Sequence, residues 1–126
     1  MKHASTISDA EGEVMEVLWR SKAALGTDEI AKGLEGRHDW QLATVKTLVN
    51  RLLTKGAISA EKEGRRYLYT PVLQRDAWLK EQSVGLVDRL FDGRLAPLVA
   101  HFSSHRKLKK ADLDALRALL KDHDRG

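Results

Sequence analysis

Five polar residues on one candidate helix have the types and spacing of a DNA-contacting surface. Thr44, Thr47 and Arg51 fall at positions i, i+3 and i+7, with Lys46 and Asn50 beside them. Hydroxyls, amides and cations are the groups that reach phosphates and base edges in a major groove. We expect Lys46 and Arg51 to neutralise phosphates, and the two threonines to contact either bases or phosphates. Asn50 can read an adenine, although an exposed surface amide fits its position nearly as well.

A short charged hairpin is predicted directly after this helix. Residues 57–61 and 67–70 alternate as strands, and Gly64 provides the turn because it can take a positive φ. Arg65 and Arg66 lie at or beside the tip of the hairpin. Side chains alternate along a strand, so only one of these two arginines is expected to face DNA, and Arg65 is the preferred candidate.

Three helices are predicted ahead of the hairpin, and they would position the contact residues. The first opens with an S-x-x-E capping box at residues 8–11, and the second takes Thr27 as its N-cap. The third covers about residues 42–55 and stops at Gly56. Three helices followed by a hairpin is the order of a winged helix-turn-helix. The third helix buries an i, i+3, i+4, i+7 stripe, formed by Val45, Leu48, Val49 and Leu52.

The C-terminal part is predicted to be helical and to require a partner. Helical patterns cover residues 74–92, 95–102 and 113–120, and residues 101–110 read as a polar linker. A segment of this size buries too little surface to be stable alone, so we expect it to pack against its copy in a C2 dimer. The alternative is a compact monomer with the tail folded over the wing. The expected dimer contacts are Leu86, Leu90, Leu95, Leu98, Val99, Phe102, Leu113, Leu116 and Leu120.

The fold class is therefore mainly α with a small β-hairpin. We expect a DNA-binding winged helix-turn-helix over residues 1–72 and a helical dimerisation region over residues 73–126. The charge distribution agrees, because residues 40–66 hold six Lys/Arg and two Asp/Glu, whereas residues 1–39 hold five and eight. The 126 residues contain no cysteine, no hydrophobic signal segment and no membrane-length apolar run, which together favour the cytoplasm without membrane insertion.

No catalytic, cofactor or resident metal site is predicted. The sequence lacks a Ser-His-Asp arrangement, a phosphate-binding glycine loop and an H-E-x-x-H motif, so it is not expected to encode an enzyme. His101 and His105 have the i, i+4 spacing of a metal pair but lack a clear third ligand. Two alternatives to a DNA-binding regulator remain open. One is a metal or small-ligand sensor that uses these histidines, and the other is a protein-docking module built on the same fold.

The chain resembles the penicillinase repressors of the BlaI/MecI type over nearly its whole length. A lone winged helix hosts many functions, but this combination of motifs is specific. The matching residues are Ile7–Glu11, Val14-Met15, Leu18-Trp19, Asp39-Trp40, Thr44–Leu48, Arg51-Leu52, Lys55-Gly56, Glu61–Arg65, Tyr69 and Leu90–Gly93.

The resemblance implies a homodimeric repressor that binds double-stranded operator DNA of palindromic sequence through the third helix and wing. It also implies relief of repression by proteolysis under a membrane-bound β-lactam sensor-protease, and thus a role in antibiotic resistance. The family's scissile bond is Asn-Phe, and the matching pair here is His101-Phe102. Copper-responsive relatives have a cysteine-rich C-terminus, which this chain lacks.

Overall fold

The protein is mainly helical, as its sequence predicts. A computed structural model describes residues 7–105 and 108–125, and these residues form six helices and one two-stranded antiparallel sheet. The first three helices precede the hairpin, which confirms the winged-helix order. The elements are α1 (Asp9–Arg20), α2 (Thr27–Leu34), α3 (Leu42–Lys55), β1 (Ile58–Glu63), β2 (Arg66–Pro71), α4 (Arg75–Phe91), α5 (Leu95–His105) and α6 (Lys110–Arg125).

The predicted capping box starts α1. The backbone N–H of Glu11 donates to Ser8 Oγ at 3.1 Å, and the backbone N–H of Ser8 donates to the Glu11 carboxylate at 3.0 Å. Two amides that have no partner inside the helix are satisfied in this way. The buried face of α1 is formed by Val14, Met15 and Leu18, each at most 1% exposed.

The start of α2 differs from the prediction in one detail. Gly26 is the N-cap, and Thr27 is the first helical residue. The backbone N–H of Gly26 donates to the Glu29 carboxylate at 2.8 Å, so the N-cap amide is satisfied from inside the helix, and no N-cap side chain accepts from the first turn. A Cβ at position 26 would collide with the guanidinium of Arg66. A larger residue here would have to displace the flexible end of the Arg66 side chain.

The buried face of α3 packs on α1 and α2 to form the core. The helix has the predicted bounds, and Gly56 ends it with a left-handed φ of 77°. The base of the hairpin and the segment that follows complete the apolar cluster. Its buried members are Ile7, Val14, Met15, Leu18, Ile30, Leu34, Val45, Leu48, Val49, Leu52, Ala57, Ile58, Tyr69 and Leu73.

The wing extends one or two residues further toward its tip than the sequence predicts. β1 and β2 pair in an antiparallel register that sets Glu63 opposite Arg66. Gly64 lies in the turn with the predicted positive φ, here 65°. The wing is fastened to the α1–α2 connection, where Leu25 and Tyr69 exchange two backbone hydrogen bonds of 3.1 and 2.8 Å. Beyond this attachment, residues 61–67 of the wing are exposed.

The chain after the wing returns to α1. Trp19 Nε1 donates to the carbonyl of Leu73 at 2.9 Å, and the Trp19 and Trp78 rings lie 5.4 Å apart. Arg75 donates to the Glu16 carboxylate at 2.9 Å. Residues up to Ser83 accordingly form one compact unit, so the structural division falls inside α4. The functional boundary expected at residues 72/73 stays a prediction.

The second compact unit begins at Val84 and contains the end of α4 together with α5 and α6. Asp92 and Gly93 close α4, with φ values of 52° and 75°. The expectation that a polar linker begins at His101 is wrong, since α5 continues through His105. The side chains of Ser103 and Ser104 bond back to carbonyls of this helix, so polar residues extend it rather than end it. Residues 106–107 of the expected linker lie outside the described residues.

Candidate nucleic-acid interface

α3 separates its residues cleanly into a buried and an exposed face. The four apolar residues of its predicted stripe are at most 5% exposed. All of its DNA-contact candidates are exposed, and α3 contains no aspartate or glutamate that would repel phosphate. The helix thus brings together on one solvent-facing surface the predicted contacts Thr44, Lys46, Thr47, Asn50 and Arg51.

The two candidate threonines differ in how their hydroxyls are used. Thr47 Oγ1 donates to the carbonyl of Ala43 at 3.0 Å, one helical turn earlier. Thr54 makes the same bond to the carbonyl of Asn50, also at 3.0 Å. The Thr44 hydroxyl makes no hydrogen bond within the part of the chain that the structure describes. Thr44 can therefore donate to a phosphate, whereas the proton of Thr47 is already engaged.

A buried ion pair anchors the C-terminal end of α3. Lys55 Nζ lies 2.5 Å from Glu11 Oε1, and Glu11 is only 1% exposed. Burial raises the pKa of the Glu11 carboxyl, but hydrogen bonds from Lys55 and Ser8 together outweigh that effect and hold its pKa below the usual value. The Glu11 carboxylate therefore stays ionised at neutral pH. Sequence reasoning missed it, because 44 residues separate the partners and no local pattern connects them.

The two wing arginines have different environments. The Arg66 guanidinium lies 2.5 Å from the Glu29 carboxylate and 3.5 Å from that of Asp28, both at the start of α2. Arg65 is exposed at the tip and makes no ion pair with any described residue. Its charge is therefore available to a phosphate, whereas that of Arg66 is partly compensated. This difference supports the choice of Arg65 as the DNA contact.

Trp40 has a packing role. Its half-buried ring packs against the core cluster and stacks on His38, with ring centroids 4.1 Å apart and planes inclined by 13°. His38 Nε2 in turn lies 3.6 Å from Glu13 of α1. The indole thus supports the turn into α3 and is not displayed as a platform for a base.

The second unit leaves an apolar surface uncovered. None of the nine expected dimer contacts is buried in the single chain. Leu90, Leu95 and Leu120 are 66%, 56% and 63% exposed. Several large apolar side chains left exposed in one small unit suit an interaction surface.

His101 and His105 are neighbours on α5, as their spacing predicts. Their ring centroids lie 4.5 Å apart, and His105 Nδ1 is 3.0 Å from the carbonyl of His101. Among residues 7–105 and 108–125, no group of three or more His, Cys, Asp or Glu side chains is arranged to hold a metal ion. The His101-Phe102 peptide bond lies inside the helix, and both side chains are exposed. Over these same residues, no helix is both long and apolar enough to span a membrane.

Proteins with related sequences match the chain over almost all of its length. The penicillinase repressor of Bacillus licheniformis is 33% identical over 123 residues, which cover 98% of this chain and 95% of that protein. The methicillin resistance regulatory protein MecI of Staphylococcus aureus strain N315 is 28% identical over 114 residues, covering 90% of this chain and 92% of that protein. These relatives are named as a repressor and a regulator, not as enzymes.

Solved structures agree with the sequence relatives. The DNA-binding domain of the repressor BlaI superposes with a TM-score of 0.53 at 40% identity, over 61% of this chain and 93% of that domain. MepR, a transcription regulator of a Staphylococcus aureus multidrug efflux pump, superposes with a TM-score of 0.50 at 20% identity, over 94% of this chain and 78% of MepR, and supports the fold alone. The penicillinase repressor family model matches residues 7–122. The chain belongs to the penicillinase repressor family.

Proposed function

We propose that this chain is a DNA-binding transcriptional repressor that acts as a homodimer on a palindromic operator. The observation that carries the proposal is the exposed face of α3, which presents cations, hydroxyls and an amide with no carboxylate in the helix. Arg65 adds a cation at the wing tip. Such a surface suits a DNA groove lined by phosphates. The related proteins that are named as repressors support a DNA-binding role. Repression would follow from occlusion of a promoter.

Dimer formation is proposed on the uncovered apolar surface of the second unit. A two-fold dimer places two copies of α3 on successive turns of one DNA face, which is how a palindrome is read. The exposed leucines of α4, α5 and α6 supply apolar area that a single chain leaves in water. Removing this area from water is the main favourable contribution to association.

Fluorescence anisotropy with the DNA upstream of the chain's own gene tests the proposal. At physiological salt we expect at least a tenfold preference over a random duplex of equal length. Lys46→Ala and Arg51→Ala should each weaken binding to both duplexes and flatten the salt dependence by about one unit, because each removes a phosphate contact. Lys80→Ala is the matched control, since Lys80 is an exposed lysine of α4 outside this face. No preference for the upstream DNA would refute the repressor.

Relief of repression is proposed to occur by cleavage between His101 and Phe102, under a membrane-bound sensor-protease that responds to a β-lactam or cell-wall signal. The bond lies within α5, so α5 must unwind locally before a protease can bind it in extended form. Mass spectrometry of the chain from β-lactam-treated cells should show fragments that divide at this bond. Derepression with the chain intact would refute this route.

A metal or small-ligand sensor on the same fold is the second candidate, because the His101 and His105 rings are adjacent. Elemental analysis of the purified chain, together with titration of its DNA affinity by Zn²⁺, separates the two functions. A repressor without metal control keeps the same affinity throughout. A protein-docking module without DNA function would not bind DNA. Thr47→Ala and Arg51→Ala would then have no effect on DNA binding.

A further inference from the structure

The centre of the exposed face of α3 is apolar along the first two turns of the helix. At about 100° per residue, Ala43 and Thr47 lie opposite the middle of the buried stripe, and Lys46 and Arg51 are displaced by roughly 70° to either side. Ala43 and Thr47 are one turn apart, so their side chains are neighbours on the helix surface, and both are exposed. The N-terminal half of this face therefore presents methyl groups between flanking cations, and the polar side chain of Asn50 follows about one turn later.

The hydrogen bond of Thr47 determines which groups of its side chain remain available to a ligand. A carbonyl oxygen cannot donate, so the Thr47 hydroxyl must give its proton to the carbonyl of Ala43. What remains for a ligand is the Thr47 methyl group and the lone pairs of Oγ1. Phosphate oxygens accept hydrogen bonds and need a donor, so this arrangement does not suit a phosphate.

The apolar group displayed by bases in the major groove is the 5-methyl of thymine, and alanine and threonine methyls are suited to contact it. The first turns of a recognition helix are also those that reach base edges. We infer that Ala43 and the methyl group of Thr47 form a patch that recognises thymine 5-methyl groups. The inference rests on the proposed DNA-binding function and deepens it. Thr47 then reads bases, while Thr44, whose hydroxyl makes no hydrogen bond within the described residues, serves a phosphate.

Paired DNA and protein substitutions test this patch. The full-length chain is footprinted on its upstream DNA, and each thymine of the protected site is replaced by deoxyuridine, which pairs identically but lacks the methyl group. Wild type should bind the deoxyuridine duplex about fourfold more weakly for each methyl it covers. Thr47→Ser keeps the hydroxyl and removes only the methyl. It should lose a similar factor on the thymine duplex, and its preference for thymine should fall by at least half.

Thr54→Ser is the matched control. Thr54 makes the same backbone bond on the same face of α3, but it lies seven residues, roughly 10 Å, further along the helix. This variant should retain the wild-type preference for thymine. Neither serine variant should change the salt dependence, since neither residue contacts a phosphate.

The outcomes separate the patch from the wider function. Equal affinity of the wild type for the two duplexes would overturn the inference, as would an unchanged thymine preference in Thr47→Ser or an equal loss in Thr54→Ser. If the wild type still prefers the upstream DNA over random duplex in these cases, only the thymine patch is refuted. The proposed repressor function is then retained. Loss of that preference in the wild type would remove both proposals.

Discussion

Replacing Lys55 by methionine tests whether the buried ion pair with Glu11 stabilises the domain. Methionine keeps most of the aliphatic length of lysine, so the change removes chiefly the charge. The Glu11 side chain is 2% exposed, and it would then keep its hydrogen bonding to Ser8, whose backbone N–H lies 3.0 Å away, but lose its cation. We expect Lys55→Met to lower the free energy of unfolding.

The size of this loss is bounded by protonation. A buried carboxylate deprived of its cation typically costs about 3–5 kcal/mol. Glu11 can instead take up a proton, and at pH 7 this costs roughly 4 kcal/mol for a carboxyl with an unfolded pKa of about 4.3. The lysine side chain is itself 28% exposed, so solvent already screens part of the attraction in the wild type. We therefore expect a loss of about 2–3 kcal/mol at pH 7.

The loss should depend on pH. In the wild type the folded pKa of Glu11 is lowered, so its contribution is present above the unfolded pKa and is lost as the pH falls through the lower, folded value. Without Lys55, burial is no longer outweighed and the folded pKa is expected to rise. The variant then loses stability as the pH rises above about 4.3. The difference between the two proteins should be largest near pH 7 and shrink toward pH 4.

Urea unfolding followed by tryptophan fluorescence measures this difference at pH 7 and pH 4.5. Glu11→Gln is the companion variant, because an amide can still accept from Ser8 but carries no charge to be left uncompensated. It should lose only about 1 kcal/mol. Combining the two substitutions should cost less than the sum of the single losses. The reasoning is refuted if Lys55→Met loses under about 0.5 kcal/mol at pH 7 or loses the same amount at both pH values.

Two further predictions concern the wing and the second unit. Arg65→Ala should flatten the salt dependence of DNA binding by about one unit, measured by anisotropy between 50 and 200 mM salt. Arg66→Ala should leave that slope nearly unchanged and lower stability by under about 1 kcal/mol, because its pair with Glu29 is half exposed; equal slopes for both variants would contradict this. Leu90→Lys combined with Leu120→Lys should yield a folded monomer by analytical ultracentrifugation. The control Val72→Lys, at a 52% exposed apolar residue of the first unit, should remain dimeric.

The local features of this fold could be read from its sequence. The limits of α3 follow from its apolar period and from Gly56, and the start of α1 follows from the capping box. The end of α5 could not be read in this way, because the polar residues after His101 resemble a linker. The hydroxyls of Ser103 and Ser104 donate to backbone carbonyls within the helix, and no sequence pattern indicates these bonds.

The distant contacts could not be predicted either, although one of their partners was visible. The S-x-x-E pattern identifies Glu11 as part of a helix cap. A capping carboxylate can accept further hydrogen bonds, and nothing in the local pattern indicates their donor. The donor is Lys55, which is 44 residues away in the sequence. The residue types on the exposed face of α3 and on the wing could therefore be predicted, whereas the pairing of Lys55 and Arg66 with carboxylates could not.

The pairing of these two cations with carboxylates follows the same pattern at two places in the domain. Glu11 and Glu29 are each the third residue of a helix, and each carboxylate accepts from an N-cap amide and from a cation on a distant element. One cation is Lys55 at the end of α3, and the other is Arg66 at the base of the wing tip. The helix and the wing that we propose to contact DNA are thus each held by a cation of the basic segment, residues 40–66. The formal excess of residues 40–66 consequently overstates the charge available to DNA. Changes at Lys55 or Arg66 should alter stability and orientation, whereas changes at residues without an ion pair within the described chain should alter affinity and its salt dependence.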